Sequence, residues 1–285
     1  MDWNRRELIA SVAAAPLCGP APPPGPALWE VRERDASVFL FGDNPAQRTP
    51  WRSSRIEAAV QASQVFWRET PVGGPQAMPL FLAKGVDPAR PLASWLSGDE
   101  RARVEAAAVA VGLSAISLEK CRPWLAAVFL DDRFNAHAGF KPEYAPEHTL
   151  TEVALAAGKP VRSEFPDMAA IVDEFASFSA AAEIGALMRA VEEIEAGPAA
   201  ADREAKAWSA GDPRADLSAV LRMRRDFPDY YTRILTERNR RWRTRIHDML
   251  DGGGTTFVLV GDAHLTGPDS VQNELARAGL VARRV

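Results

Sequence analysis

Cysteine is nearly absent: Cys18 and Cys121 are the only two in 285 residues. That excludes a disulfide framework and a cysteine-rich zinc module. Long apolar runs are missing as well, and none reaches the roughly 18 residues that a spanning helix needs. Neither sign of charge dominates, with 34 Lys+Arg against 38 Asp+Glu and a formal charge of −4. No overall field therefore draws the chain to nucleic acid or to an anionic membrane. No Gly-x-Ser-x-Gly elbow occurs, which weakens an α/β-hydrolase assignment. A Walker or Rossmann phosphate loop is lacking too, because Gly252-Gly253-Gly254 precedes a strand pattern and not a helix. The eight tryptophans are scattered and form no stripe for base stacking.

What is present is ordinary for a globular chain: 47% hydrophobic and 25% charged residues. At this size about 73% of the unfolded surface is buried on folding, enough for a core without staples. In residues 1–17, Arg5 and Arg6 precede the apolar stretch 8–15, a loose imitation of a secretory signal. Asp2 and Glu7 spoil it, so the segment reads as an amphipathic helix. A cytoplasmic location is expected, with export after signal cleavage as the alternative. The proline-rich stretch 19–26 cannot hold helix or central strand and reads as a stiff linker, so residues 1–25 precede a single domain over 26–285.

Hydrophobic periodicity then predicts short strands at 27–31 and 37–41, a helix at 53–63 and a strand at 64–68 ending at Glu69. The unbroken apolar run Val38-Phe39-Leu40-Phe41 suits a strand buried on both faces. Strand, helix and strand in about 30 residues suggest a βαβ unit. From about 88 to 230 the pattern becomes alanine-rich and helical. It includes a helix at 99–111 capped by Ser97, one at 118–134 interrupted by Pro123, and a short strand at 160–162 leading to Glu164. A long helix at 230–250, a strand at 255–260, a helix at 269–278 and an edge strand at 280–285 close the chain. The expected class is α/β: a central mixed or mostly parallel sheet built from both chain ends, with a large, mostly helical insertion.

An internal echo points to a site. Ser37-Val38-Phe39-Leu40-Phe41-Gly42-Asp43-Asn44-Pro45 matches Thr256-Phe257-Val258-Leu259-Val260-Gly261-Asp262-Ala263-His264. Both run through apolar residues into Gly-Asp at a strand exit, where α/β proteins collect ligands. The plainer reading is that strand-Gly-Asp is a common way to leave a sheet. Of the four histidines, His137, His148 and His247 read as structural, whereas His264 lies just beyond a strand and a glycine. Glu69 ends another strand and would reach the same edge. An imidazole and a carboxylate could hold a metal or act as base and orienter, although two ligands are few for a tight site. Residues 222–245 hold nine arginines against Asp226, Asp229 and Glu237. That excess suits a phosphate, carboxylate or nucleic-acid surface, or a solvated helix whose arginines pair with acidic neighbours.

These residues resemble the TraB/GumN family. The resemblance is carried by Ala27-Leu28-Trp29-Glu30-Val31, Leu96-Ser97-Gly98-Asp99-Glu100-Arg101-Ala102-Arg103, Arg122-Pro123-Trp124-Leu125-Ala126, Ala157-Gly158-Lys159-Pro160-Val161, Glu237-Arg238-Asn239-Arg240-Arg241-Trp242 and Val260-Gly261-Asp262-Ala263-His264-Leu265. The family is similar to the Tiki metalloproteases and, more distantly, to erythromycin esterase-like and ChaN-like proteins. The resemblance implies an α/β core with two Gly-x-x-His loops and a glutamate near a divalent metal. The second loop is intact, Glu69 matches the glutamate, and Glu237, Arg238 and Asn239 match the Glu-Arg-Asn block. The first loop departs, with Pro45 where the family has histidine, and Pro71 replaces an acidic or amide residue.

The expectation is thus a metal-dependent, peptidase-like hydrolase scaffold with a degenerate site. Glu69, Glu237, Arg238 and Asn239 are the candidate catalytic residues. Gly42, Asp43, Asn44 and Arg238 are the candidates for binding substrate. His264, Glu69 and Asp43 are the candidate ligands for manganese, cobalt or zinc, held weakly or not at all. The alternative is a non-catalytic protein that binds a small molecule or peptide in the same cleft. A nucleic-acid-binding module through the 222–245 surface is the third reading.

Overall fold

The structure, a computed structural model, describes residues 25–72 and 77–285. The expected N-terminal helix and nearly all of the linker lie outside the described residues. Elements follow in the order β1 Leu28–Glu33, β2 Ala36–Asp43, α1 Ser54–Ala62, β3 Val65–Arg68, α2 Ala77–Gly85, α3 Gly98–Ala110, α4 Ala115–Leu118, α5 Pro123–Ala138, α6 Pro146–Ala156 and β4 Val161–Ser163. Then come α7 Met168–Ala176, α8 Ala180–Ala196, α9 Pro198–Ser209, α10 Leu217–Asp226, α11 Pro228–Tyr231, a π-turn Thr232–Thr236, α12 Glu237–Asp251, β5 Thr255–Gly261, α13 Val271–Arg277 and β6 Ala282–Arg284, with short 3-10 turns between some of them.

One six-stranded sheet has the order β4-β3-β5-β2-β1-β6. β4, β3, β5 and β2 are parallel, and β1 runs antiparallel to both β2 and β6. The fold is therefore α/β with a mixed sheet from both chain ends, and β6 forms one edge. β2 and β3 are not neighbours, because β5 from the far end of the chain lies between them. The middle segment is not wholly helical, since it also supplies β4 at the other edge.

Alternation along the strands divides the sheet into two faces. Phe41, Phe66, Phe257 and Leu259 pack under α1 and α6, joined by Trp51 and Trp208. Val38, Leu40, Val258 and Val260 pack against Trp242, Ile246 and Leu250 of α12 and Val271 and Leu275 of α13. A separate core of α3, α5 and α8 holds the helical segment together. Ser97 caps α3 in a reciprocal capping box with Glu100. Pro123 starts α5 and does not interrupt it, because a first-turn proline sacrifices no helical hydrogen bond. No described helix is long and apolar enough to cross a membrane.

Candidate functional site

The parallel strands β2, β3, β4 and β5 all release the chain at one edge of the sheet. β3 ends in Arg68 and is followed by Glu69; β4 ends in Ser163 and is followed by Glu164. Because Arg68 pairs with Ser163 in register, Glu69 and Glu164 are the next neighbours across the two strands. Alternation sends Arg68 toward α6, where it meets Glu147 at 2.8 Å and Thr151 at 3.1 Å. Glu69 and Glu164 turn to the opposite face, toward α12. Two carboxylates side by side would repel. Arg238 lies between them, with Nη2 2.7 Å from Glu69 and 2.5 Å from Glu164. Its Nε also donates to both oxygens of Glu164, at 3.1 and 3.2 Å.

His264 completes the cluster from the 3-10 turn after β5. Its Nδ1 lies 2.5 Å from Asn239 Oδ1. The Asn239 amide nitrogen donates to the Asp269 carbonyl at 2.7 Å, which turns Oδ1 toward the ring and makes Nδ1 the donor. Nε2 then faces Glu69 Oε1 at 3.5 Å, and the same oxygen accepts the Gly261 N–H. Arg238, Asn239, His264 and Glu164 are all buried. Burial would raise the Glu69 pKa, but Arg238, His264 and the Gly261 N–H hold it well below the usual carboxylate range.

The predicted residues separate into groups. Glu69, Arg238, Asn239 and His264 come together. Glu237 does not join them, because its carboxylate pairs with Arg233 at 2.9 Å. Asp43 lies at the same edge but on the other face, accepting the Glu147 N–H at 3.0 Å. Burial and the Glu147 carboxylate push its pKa up to about 8. Asn44 is buried, its Oδ1 accepting the Ala46 N–H and its amide reaching Asp262 at 3.4 Å. Gly42 offers its carbonyl to the Trp208 indole at 3.0 Å. Glu164 is not among the residues predicted for the site; two strands that each run into a glutamate are its sole sequence trace.

The two echoing strands are neighbours, but one residue out of step. Gly42 pairs with Val260 and Asp43 with Gly261, so the two glycines face opposite sides of the sheet. Gly42 allows close approach: a Cβ there would lie 2.9 Å from the Cα and Cβ of Asp262. Gly42→Ala is expected to force the loops apart and to cost about 1–3 kcal/mol. Urea melts test this, and an unchanged midpoint would show that the loops can separate freely.

Beyond these loops a cavity of about 260 Å³ opens under the helical segment. Asn44, Pro45, Asp262 and Ala263 of the strand-exit loops line it, and Phe140, Val220, Met223 and Phe227 supply apolar wall. Glu192, Glu193, Glu204 and Asp216 bring carboxylates, with Arg189 and Arg222 as the cations. Arg189 is tied to Asp131 and Glu193. Burial and the neighbouring Asp216 raise the Asp262 pKa well above the usual range. Glu204 shifts upward through burial and repulsion from Asp216 and Glu193.

The sequence pattern of the TraB/PrgY/gumN family matches residues 27–284. The chain belongs to this family. No curated protein and no solved structure matches it. Among the described residues no group of three or more His, Cys, Asp or Glu could hold an ion. Glu69 is committed to Arg238 and Gly261, and Asp43 faces α6. The arginine-rich segment 222–245 is largely engaged within the fold. Arg233, Arg238, Arg241 and Arg243 pair with Glu174, Glu237, Glu69, Glu164 and Glu274, and Arg245 lies over Trp67 and Trp242.

Proposed function

We propose that this TraB/PrgY/gumN-family protein binds a small, positively charged organic molecule and is not an efficient metallohydrolase. The observation that carries the reading is the cavity at the strand exits, lined by five carboxyl groups against two arginines and by apolar side chains. The neighbouring Asp216 disfavours the charged form of Asp262. An ammonium or amidinium group seated between them would relieve that repulsion. Phe140, Val220, Met223 and Phe227 would cover an apolar body. A peptide's amino terminus is one cation of this kind. A ligand carboxylate on Arg238 is disfavoured, since Arg238 is buried and shared by two glutamates. Divalent metal would be held weakly or not at all, because Pro45 supplies no ligand and Glu69 is already committed.

Thermal melts and calorimetry with phenethylamine, putrescine and phenylacetate test the reading. The amines should stabilise the protein and the acid should not. Asp262→Asn or Asp216→Asn should weaken amine binding by about tenfold, which corresponds to roughly 1.4 kcal/mol. Equal binding of amine and acid, or indifference to both substitutions, would remove the cavity from consideration.

A further inference from the structure

A groove of about 680 Å³ lies beside the cavity, walled by α8, α9 and α10. Glu192, Ala196, Ala200, Glu204 and Arg222 front both spaces, so cavity and groove share one boundary. Two of these five are alanines, which leave little side chain in the way. On α9, Ala200, Arg203, Glu204 and Ala207 fall at i, i+3, i+4 and i+7, one face of a helix, and all four line the groove. On α10, Ser218 and Arg222 do the same at i and i+4.

The groove differs from the cavity in charge. Four arginines line it, and two are already paired. Arg103 clamps Glu195 through two nitrogens, at 2.9 and 2.7 Å, and Arg225 clamps Asp226 at 2.7 and 2.6 Å. The charge of Glu192 acts on the same two arginines. Arg203 and Arg222 are exposed and form no ion pair or side-chain hydrogen bond among the described residues. Glu204 stands near them, yet burial and repulsion from Asp216 and Glu193 favour its neutral form. The groove therefore offers two uncommitted guanidinium groups and a hydroxyl, a donor set that suits a carboxylate or a phosphate. The cavity across the boundary is rich in carboxyl groups.

We infer that the ligand is an elongated zwitterion, its ammonium end in the cavity and an anionic end on Arg203 and Arg222 in the groove. This assignment rests on the amine site of the cavity and adds the opposite end of the molecule. It excludes a simple alkylamine as the preferred ligand, because such a molecule leaves the two guanidinium groups in water. It also excludes a diamine, whose second ammonium would meet them.

Calorimetry on the full chain compares 4-aminobutyrate, 6-aminohexanoate and 8-aminooctanoate with the alkylamine and the diamine of matching length. 6-Aminohexyl phosphate joins the series, and a gain with either anion supports the inference. At one length the zwitterion should bind about tenfold more tightly than its alkylamine, and the diamine should not. Arg203 lines the groove and not the cavity, so Arg203→Ala should remove most of that gain and leave alkylamine affinity unchanged. As an exposed substitution it should also leave the fold intact. Asp262→Asn should weaken alkylamine and zwitterion alike, by about tenfold. Alkylamine binding with no gain from any anionic end overturns the inference and leaves the amine site standing. So does a gain that survives Arg203→Ala, or a diamine that matches the zwitterion. A zwitterion indifferent to Asp262→Asn is held by the groove alone, which also overturns it. Failure of alkylamine and zwitterion together removes the amine site and this assignment with it.

Discussion

Glu164→Ala is expected to destabilise the protein by about 3–5 kcal/mol, the usual consequence of removing one partner from a buried ion pair. Glu164 supplies three of the contacts to Arg238 below 3.3 Å, and its side chain is 3% exposed. Without it, a buried guanidinium is left with Glu69 alone and with unpaired N–H groups that water cannot reach. A Tm lowered by roughly 10 °C should accompany the loss. The triple substitution Glu69→Gln, Arg238→Met and Glu164→Gln should restore much of it, since neutral side chains need no counter-charge. Denaturant and thermal melts of the two proteins make the comparison. A loss below about 1 kcal/mol for Glu164→Ala would mean that the cluster opens to water and behaves like a surface pair.

Raising the pH should destabilise the native protein through Asp43, and Asp43→Asn should remove that sensitivity. Burial first, and then the Glu147 carboxylate, push the Asp43 pKa up to about 8, against the opposing Glu147 N–H. An acid whose pKa is raised by folding binds its proton more tightly in the native state. Its contribution is complete below the unfolded pKa of about 3.9 and is lost as pH climbs from there through 8. Asp43 keeps a partly exposed edge, so screening reduces the full linkage. The advantage of Asp43→Asn should therefore be near zero at pH 4 and grow to about 2 kcal/mol at pH 9. The amide oxygen can still accept the Glu147 N–H, which keeps the geometry comparable. Urea midpoints across that range decide the matter, and a difference that does not vary with pH would mean that Asp43 titrates normally.

Periodicity alone predicted most strands and many helices, because the apolar residues that recur along them are those the sheet and bundles bury. Val38, Phe41, Phe257 and Val260 are in that group. It did not predict that β5 enters between β2 and β3, since strand order depends on which apolar faces meet across more than 200 residues. Pro123 shows the limit of a local rule: the residue breaks a helix in its interior but begins one at its first turn.

For the site, residue order is enough to show which kinds of group stand at the strand exits: Gly42 and Asp43, Glu69, and the Gly261-Asp262-Ala263-His264 turn. The Glu-Arg-Asn block at 237–239 was legible too, although only two of its three residues reach the cluster. How these groups combine depends on strand order and helix packing. Strand alternation and a one-residue offset between β2 and β5 sent Asp43 to α6, while Glu69 turned toward α12. Pairing of β4 with β3 brought Glu164 beside Glu69 across 94 intervening residues, and a glutamate at the end of each strand is the only sequence trace of it. Packing of α12 against that face put Arg238 between the two carboxylates, which would otherwise repel each other in a buried setting.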